Sequence, residues 1–174
     1  MFELILGNAF SLLAIGTDTL SASRKTGKGV IVTQLASQLF YGGSAFVLKG
    51  YSAVVQNGVS VVRNLLALYP RCPQWIYWVL VAFGVGFGIA VNNLGIVGWL
   101  PIIANLMYSL AVFFAKGDVI ILKSAFLLLT LMFVVFNFVV QNYIGAAGNV
   151  VIVITTAVFI VKEWKRRKAQ KEKR

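Results

Sequence analysis

The chain has no histidine and a single cysteine, Cys72. No disulfide can form within it, no Cys/His metal site can be assembled, and neither a Ser-His nor a Cys-His catalytic pair exists. Most familiar enzyme chemistry is thereby excluded. Only five residues are acidic, and the three prolines are Pro70, Pro73 and Pro101. Charged residues make up 12% of the chain, against about 25% in soluble domains. What is abundant is apolar: 59% of the 174 residues are hydrophobic, with a mean hydropathy of +0.85. A soluble core of this size cannot hide that much apolar surface, so lipid is expected to cover the rest.

Apolar runs broken by charge, Gly, Asn or Pro give seven candidate transmembrane helices. They are Phe2–Ala22, Val30–Leu48, Tyr51–Tyr69, Trp75–Asn92, Ile96–Ala115, Val119–Val140 and Tyr143–Val161. Each is near the length of about 20 residues that a span requires. The N-terminus lacks the basic start and cleavage site of a signal peptide and reads as a retained first span. With alternating spans, every basic residue except Lys49 falls on one side. Positive charge stays inside, so the N-terminus is expected outside and the C-terminus in the cytoplasm. The basic tail Lys162–Arg174 is expected to continue the last helix and face anionic lipid. Its position beside an apolar helix argues against nucleic acid as the partner.

The sequence also repeats. Ile5–Ile15 aligns without gaps on Ile102–Val112, placing Asn8 on Asn105. Tyr41–Asn57 aligns on Phe133–Asn149, placing Tyr51 on Tyr143 and Asn57 on Asn149. The expected fold is all-α, with two parallel three-helix-bundle repeats and one linker helix, a 3+1+3 layout. Residues 1–69 form the first repeat, 70–93 the linker helix, 94–161 the second repeat and 162–174 the cytoplasmic tail.

This layout resembles that of the SWEET sugar transporters, with SemiSWEETs and the PnuC vitamin transporters as relatives. Asn57 in Gln56–Val62 is similar to the third-helix asparagine of SWEETs, and Asn149 to its seventh-helix partner. The resemblance implies that the two face each other in a central substrate site. It does not extend to the hinge prolines of that family, because no proline lies mid-span within a repeat. Along nearly its whole length the chain is similar to YgjV-type bacterial inner-membrane proteins. Leu39–Asn64 carries that likeness, which implies an inner-membrane location.

A few polar residues stand out inside the spans. An Asn amide must face protein, water or solute when lipid surrounds the bundle. Asn57 and Asn149 suit either a neutral ligand or interhelical hydrogen bonds; repeat symmetry favours the ligand. For Asn8 and Asn105 the interhelical role is favoured. Gln34, Ser37, Gln38 and Tyr41 share one helix face, as do Asn57, Ser60 and Asn64. The matching face of the second repeat holds Phe126, Leu129, Thr130 and Phe133, so the expected cavity is asymmetric. Tyr41 and Phe133 are placed to stack on a ring. Asp18 and Arg63 are expected to pair near the inner side, with Arg24 or Lys25 as other partners for Asp18. Gly84 and Gly88 form a GxxxG surface expected to dock the linker helix internally, with a second copy as the other occupant.

The expected function is passage of a small polar solute, a sugar or a vitamin- or nucleoside-like compound, by alternating access. The candidate substrate-binding residues are Asn57, Asn149, Tyr41, Gln38, Phe133 and Ser60. No catalytic residue, metal or cofactor is expected. The alternative is a non-transporting accessory or sensor protein of the same fold.

Overall fold

The structure is a computed structural model that describes residues 1–23, 27–67, 73–114 and 119–172. It is all-helical, with no strand among the described residues. The helices are α1 (Phe2–Ser23), α2 (Gly27–Val47), α3 (Tyr51–Ala67), α4 (Gln74–Ala90), α5 (Trp99–Phe114), α6 (Val119–Val139) and α7 (Tyr143–Glu172). They follow the expected helices closely, with two differences: α2 starts at Gly27, and α5 is preceded by a 3-10 turn, Gly95–Gly98. As expected, α7 runs on through the basic segment, to Glu172. Pro101 sits in the first turn of α5, where a missing N–H costs nothing. Arg24, Lys25, Pro70, Arg71, Cys72 and Lys116 lie outside the described residues, as do the side chains of Lys28 and Gln34.

By length and composition, α7 is the one described helix long and apolar enough to cross a membrane. Helices α3, α4 and α5 have 17, 17 and 16 residues, about 25 Å of helix at about 1.5 Å per residue. The surface nevertheless carries Phe46, Trp75, Phe83, Phe87, Phe138 and Phe159, all exposed. The buried set is instead rich in Ser, Thr, Asn and Gln, with Phe136 and Ile102 its largest apolar members. Apolar outside and polar inside is the arrangement lipid favours and water does not.

Helix packing makes a ring. Helix α2 touches α1 and α3, and α6 touches α5 and α7. The two sets meet where α3 packs on α5 and α7 packs on α1. Helix α4 stands outside the ring against α3 and α5. A Cβ on Gly84 would come within 2.9 Å of Val59, and one on Gly88 within 2.7 Å of Gln56 and 3.1 Å of Ile102. The two glycines thus admit α4 to the flank of its own chain.

The α2–α3 and α6–α7 connections are built alike. Lys49 and Gln141 both have φ of 59°. Lys49 N donates to Phe46 O at 3.1 Å and Gly50 N to Ala45 O at 2.8 Å. Gln141 N donates to Phe138 O at 3.2 Å and Asn142 N to Asn137 O at 2.8 Å. Each is a Schellman turn, which satisfies the last carbonyls of the preceding helix. Phe46 packs on Tyr51 with ring centroids 6.3 Å apart, and Phe138 on Tyr143 at 5.8 Å.

The two turns also brace the opposite halves. Gly50 lies under Phe136, where an added Cβ would come within 2.8 Å of the ring. Asn142 donates to Ser44 at 3.2 Å. In the alignment register Ser44 corresponds to Phe136 and Gly50 to Asn142. One contact therefore sets a large residue on a small one, and its counterpart sets a small residue on a larger one.

Candidate functional site

The ring encloses a cavity of about 120 Å³. Every ring helix supplies residues to its wall, and α4 supplies none. All six sequence-derived candidates line it: Gln38 and Tyr41 from α2, Asn57 and Ser60 from α3, Phe133 from α6, and Asn149 from α7.

The two asparagines differ in their bonding. Asn57 is 7% exposed, and its amide donates to the carbonyl of Ala53, one turn back on its own helix, at 2.9 Å. Its carbonyl oxygen remains as an acceptor. Asn149 is 8% exposed and makes no hydrogen bond among the described residues. Neither amide ties two helices together. Asn8 does: it donates to the carbonyls of Leu4 at 2.8 Å and Gln141 at 3.1 Å, and accepts from Ile144 N at 2.9 Å. It joins α1 to the start of α7, where Asn142 caps the helix by accepting from Gly145 N at 3.0 Å.

Arg63 does not pair with Asp18, contrary to the sequence expectation. The two line the same cavity, and no ion pair joins them. Arg63 turns toward α5. Its Nη1 donates to Asn105 Oδ1 at 3.0 Å and to Ser109 Oγ at 3.3 Å, and its Nη2 to Ser60 Oγ at 3.4 Å. The guanidinium also lies over the Tyr108 ring, 5.0 Å from its centroid, a favourable cation–π placement. Helix α2 separates α1 from α3 in the ring, whereas α5 is the direct neighbour of α3. That packing order directs Arg63 to α5.

The arginine sets the direction of a hydrogen-bond chain. A guanidinium can only donate, so Asn105 Oδ1 accepts and Asn105 Nδ2 must donate. It donates to Gln56 Oε1 at 2.8 Å. Gln56 Nε2 then donates to the carbonyl of Gly84 on α4 at 2.7 Å. The buried Asn105 and Gln56 amides are thereby bonded at both ends, and α4 is fastened to the ring. Asn105 has the interhelical role expected of it, and it lines the cavity as well.

Elsewhere on the wall, the buried Tyr41 hydroxyl and Ser37 lie beside the Asp18 carboxylate. The α6 wall is mostly apolar: Phe126, Leu129, Phe133 and Phe136, relieved by Thr130 and Asn137. Phe133 packs edge-on against Phe136, with centroids 6.2 Å apart.

Gln56, Tyr108, Asn137 and Asn142 also line the cavity and were not singled out from the sequence as site residues. For Asn137 a signal existed: an Asn inside an apolar run needs a partner, and it accepts from Asn142 Nδ2 at 3.2 Å. Tyr108 gave none, because its role depends on where Arg63 points.

An apolar exterior around a polar interior defines a helical membrane protein. The sequence profile of the YgjV family, described as a bacterial inner membrane protein, matches residues 5–167. The chain belongs to that family. No curated protein matches it in sequence, and no solved structure matches it.

Proposed function

We propose that this chain is a multi-pass inner-membrane carrier that passes a small polar solute by alternating access through the ring cavity. In this reading all seven helices span the bilayer, with the N-terminus outside and the C-terminus in the cytoplasm. Helices α1–α3 and α5–α7 are parallel repeats and α4 is the linker. The paired Schellman turns and the reciprocal Gly50–Phe136 and Ser44–Asn142 contacts support the repeat. Sixteen basic residues against five acidic ones, with only Lys49 on the other side, support the orientation.

The observation that carries the reading is the unbonded Asn149 amide at the wall of a central cavity. The Asn149 amide is not sealed from the cavity, so its two donors and its acceptor oxygen are open to a polar solute or water there. Asn57, Gln38 and Ser60 add polar groups to the same wall, and Phe133 and Tyr41 add ring faces. This reading needs no catalytic residue, cofactor or nucleic acid.

Uptake into proteoliposomes tests it. A panel of labelled small polar solutes, from two-carbon acids and amides to hexoses, should include one that enters faster than in empty vesicles. Asn149→Ala should slow that entry about tenfold, and Asn57→Ala by a similar or smaller factor, as expected for a lost buried hydrogen bond. Unchanged rates in both variants would remove the asparagines from the path. The second reading, an accessory or sensor protein, draws on one observation. Among the described residues, no proline interrupts a ring helix beyond its first turn, so the hinges that rocking would use are missing. Binding of a solute without uptake would favour it.

A further inference from the structure

The geometry points to a small monocarboxylate as the solute, held by Arg63; this rests on the cavity being the solute site. A guanidinium has five N–H donors and stays charged. Asn105, Ser109 and Ser60 take three of them, two from Nη1 and one from Nη2. The Nε proton and one Nη2 proton remain, the number a carboxylate engages in a forked pair.

Every partner of Arg63 is neutral. No carboxylate among the described residues lies within ion-pair distance of it, although it lines a cavity inside the ring. A positive charge held in such surroundings calls for an anion. The hydrogen-bond chain through Asn105 and Gln56 to Gly84 holds the guanidinium in place, and Tyr108 lies over its face. Its position therefore does not depend on the solute.

Volume and charge narrow the class. A cavity of about 150 Å³ holds a benzene ring, so one of about 120 Å³ takes about five or six non-hydrogen atoms. A two- or three-carbon acid fits that space, and a hexose or nucleoside would overfill it in this conformation. Asp18 on the same wall disfavours a second carboxylate. With the Tyr41 hydroxyl beside it, it favours a hydroxyl or amino group on the solute. Short hydroxy acids and amino acids, such as glycolate and glycine, meet these terms.

The test compares glycolate with glycolamide, its uncharged isostere, on the full chain in lipid nanodiscs by titration calorimetry. Both are then measured for uptake in proteoliposomes. Glycolate should bind about tenfold to a hundredfold more tightly, as expected for charge-assisted hydrogen bonds. Arg63→Lys should keep part of that preference, and Arg63→Gln should abolish it, with helicity and monodispersity checked for both. Equal affinity for the two probes, binding of neither, or a glycolate preference surviving in a folded Arg63→Gln would overturn the assignment. Uptake of glycolamide at the rate of glycolate would also sink it while leaving the carrier reading intact. A glycolate preference in binding without any uptake would keep the carboxylate site and remove the carrier reading.

Discussion

Helices α2 and α6 occupy equivalent places in the ring, yet they offer the cavity opposite surfaces. Gln38 and Tyr41 of α2 correspond in register to Thr130 and Phe133 of α6, and Phe126 and Leu129 complete the apolar side. The polar side continues through Gln56, Asn57, Ser60 and Arg63 of α3 to Asn105 of α5. Backbone turns at the ends of the two pairs are nearly superposable in their hydrogen bonds. Backbone geometry was thus kept while side-chain chemistry diverged. In the proposed reading, a single cavity between two such walls would orient a solute, with its charged end at Arg63 and its carbon skeleton against Phe133 and Phe136.

Three substitutions probe this division of labour. The largest effect is expected on the apolar wall. Phe136 is 1% exposed and is part of the small core with Ala45 and Ala53. Phe136→Ala should lower stability by about 3–5 kcal/mol, read as unfolding in detergent. An effect below about 1 kcal/mol would mean that the centre is looser than the structure has it. A smaller loss is expected where the polar wall leans on α4. Gly88→Ala puts a methyl group 2.7 Å from Gln56 Nε2 and 3.1 Å from Ile102. It should cost about 1–3 kcal/mol by overpacking and weaken carboxylate binding by shifting the chain that holds Arg63. If binding is unaffected although stability falls, Gln56 does not position Arg63. The smallest change belongs to the turns. Asn142→Ala removes the α7 cap and the bonds to Ser44 and Asn137, a loss of about 1–2 kcal/mol. Hydrogen exchange should then rise at the first turn of α7 and remain as before at the first turn of α3.

Much of the helix plan could be read directly. Charge, Gly and Pro mark the helix ends because they interrupt apolar runs, and the ends observed lie near them. All six candidate residues reach one cavity because helical spacing puts them on shared faces and the paired asparagines pointed to the inner side. Asp18 and Arg63 were misjudged for a different reason. Both sit near the same end of their helices and carry opposite charges, so depth alone suggested a pair. Which helices are neighbours was not in that argument.

The sequence by itself determined the class of protein. Burial preference is a property of each side chain, and so much apolar surface with so little charge has a stable home only in lipid. It determined the helices too, since backbone hydrogen bonds inside a helix are local. The tertiary structure decided the partners. Helix α2 stands between α1 and α3, and α5 lies beside α3, so the guanidinium meets Asn105, Ser109 and Tyr108 while Asp18 stays apart from it. Contacts between helices depend on packing order and rotation, which residues distant in the chain set jointly. That is why the charge carrying the strongest chemical prediction, Arg63, could be noticed in the sequence and understood only in the fold.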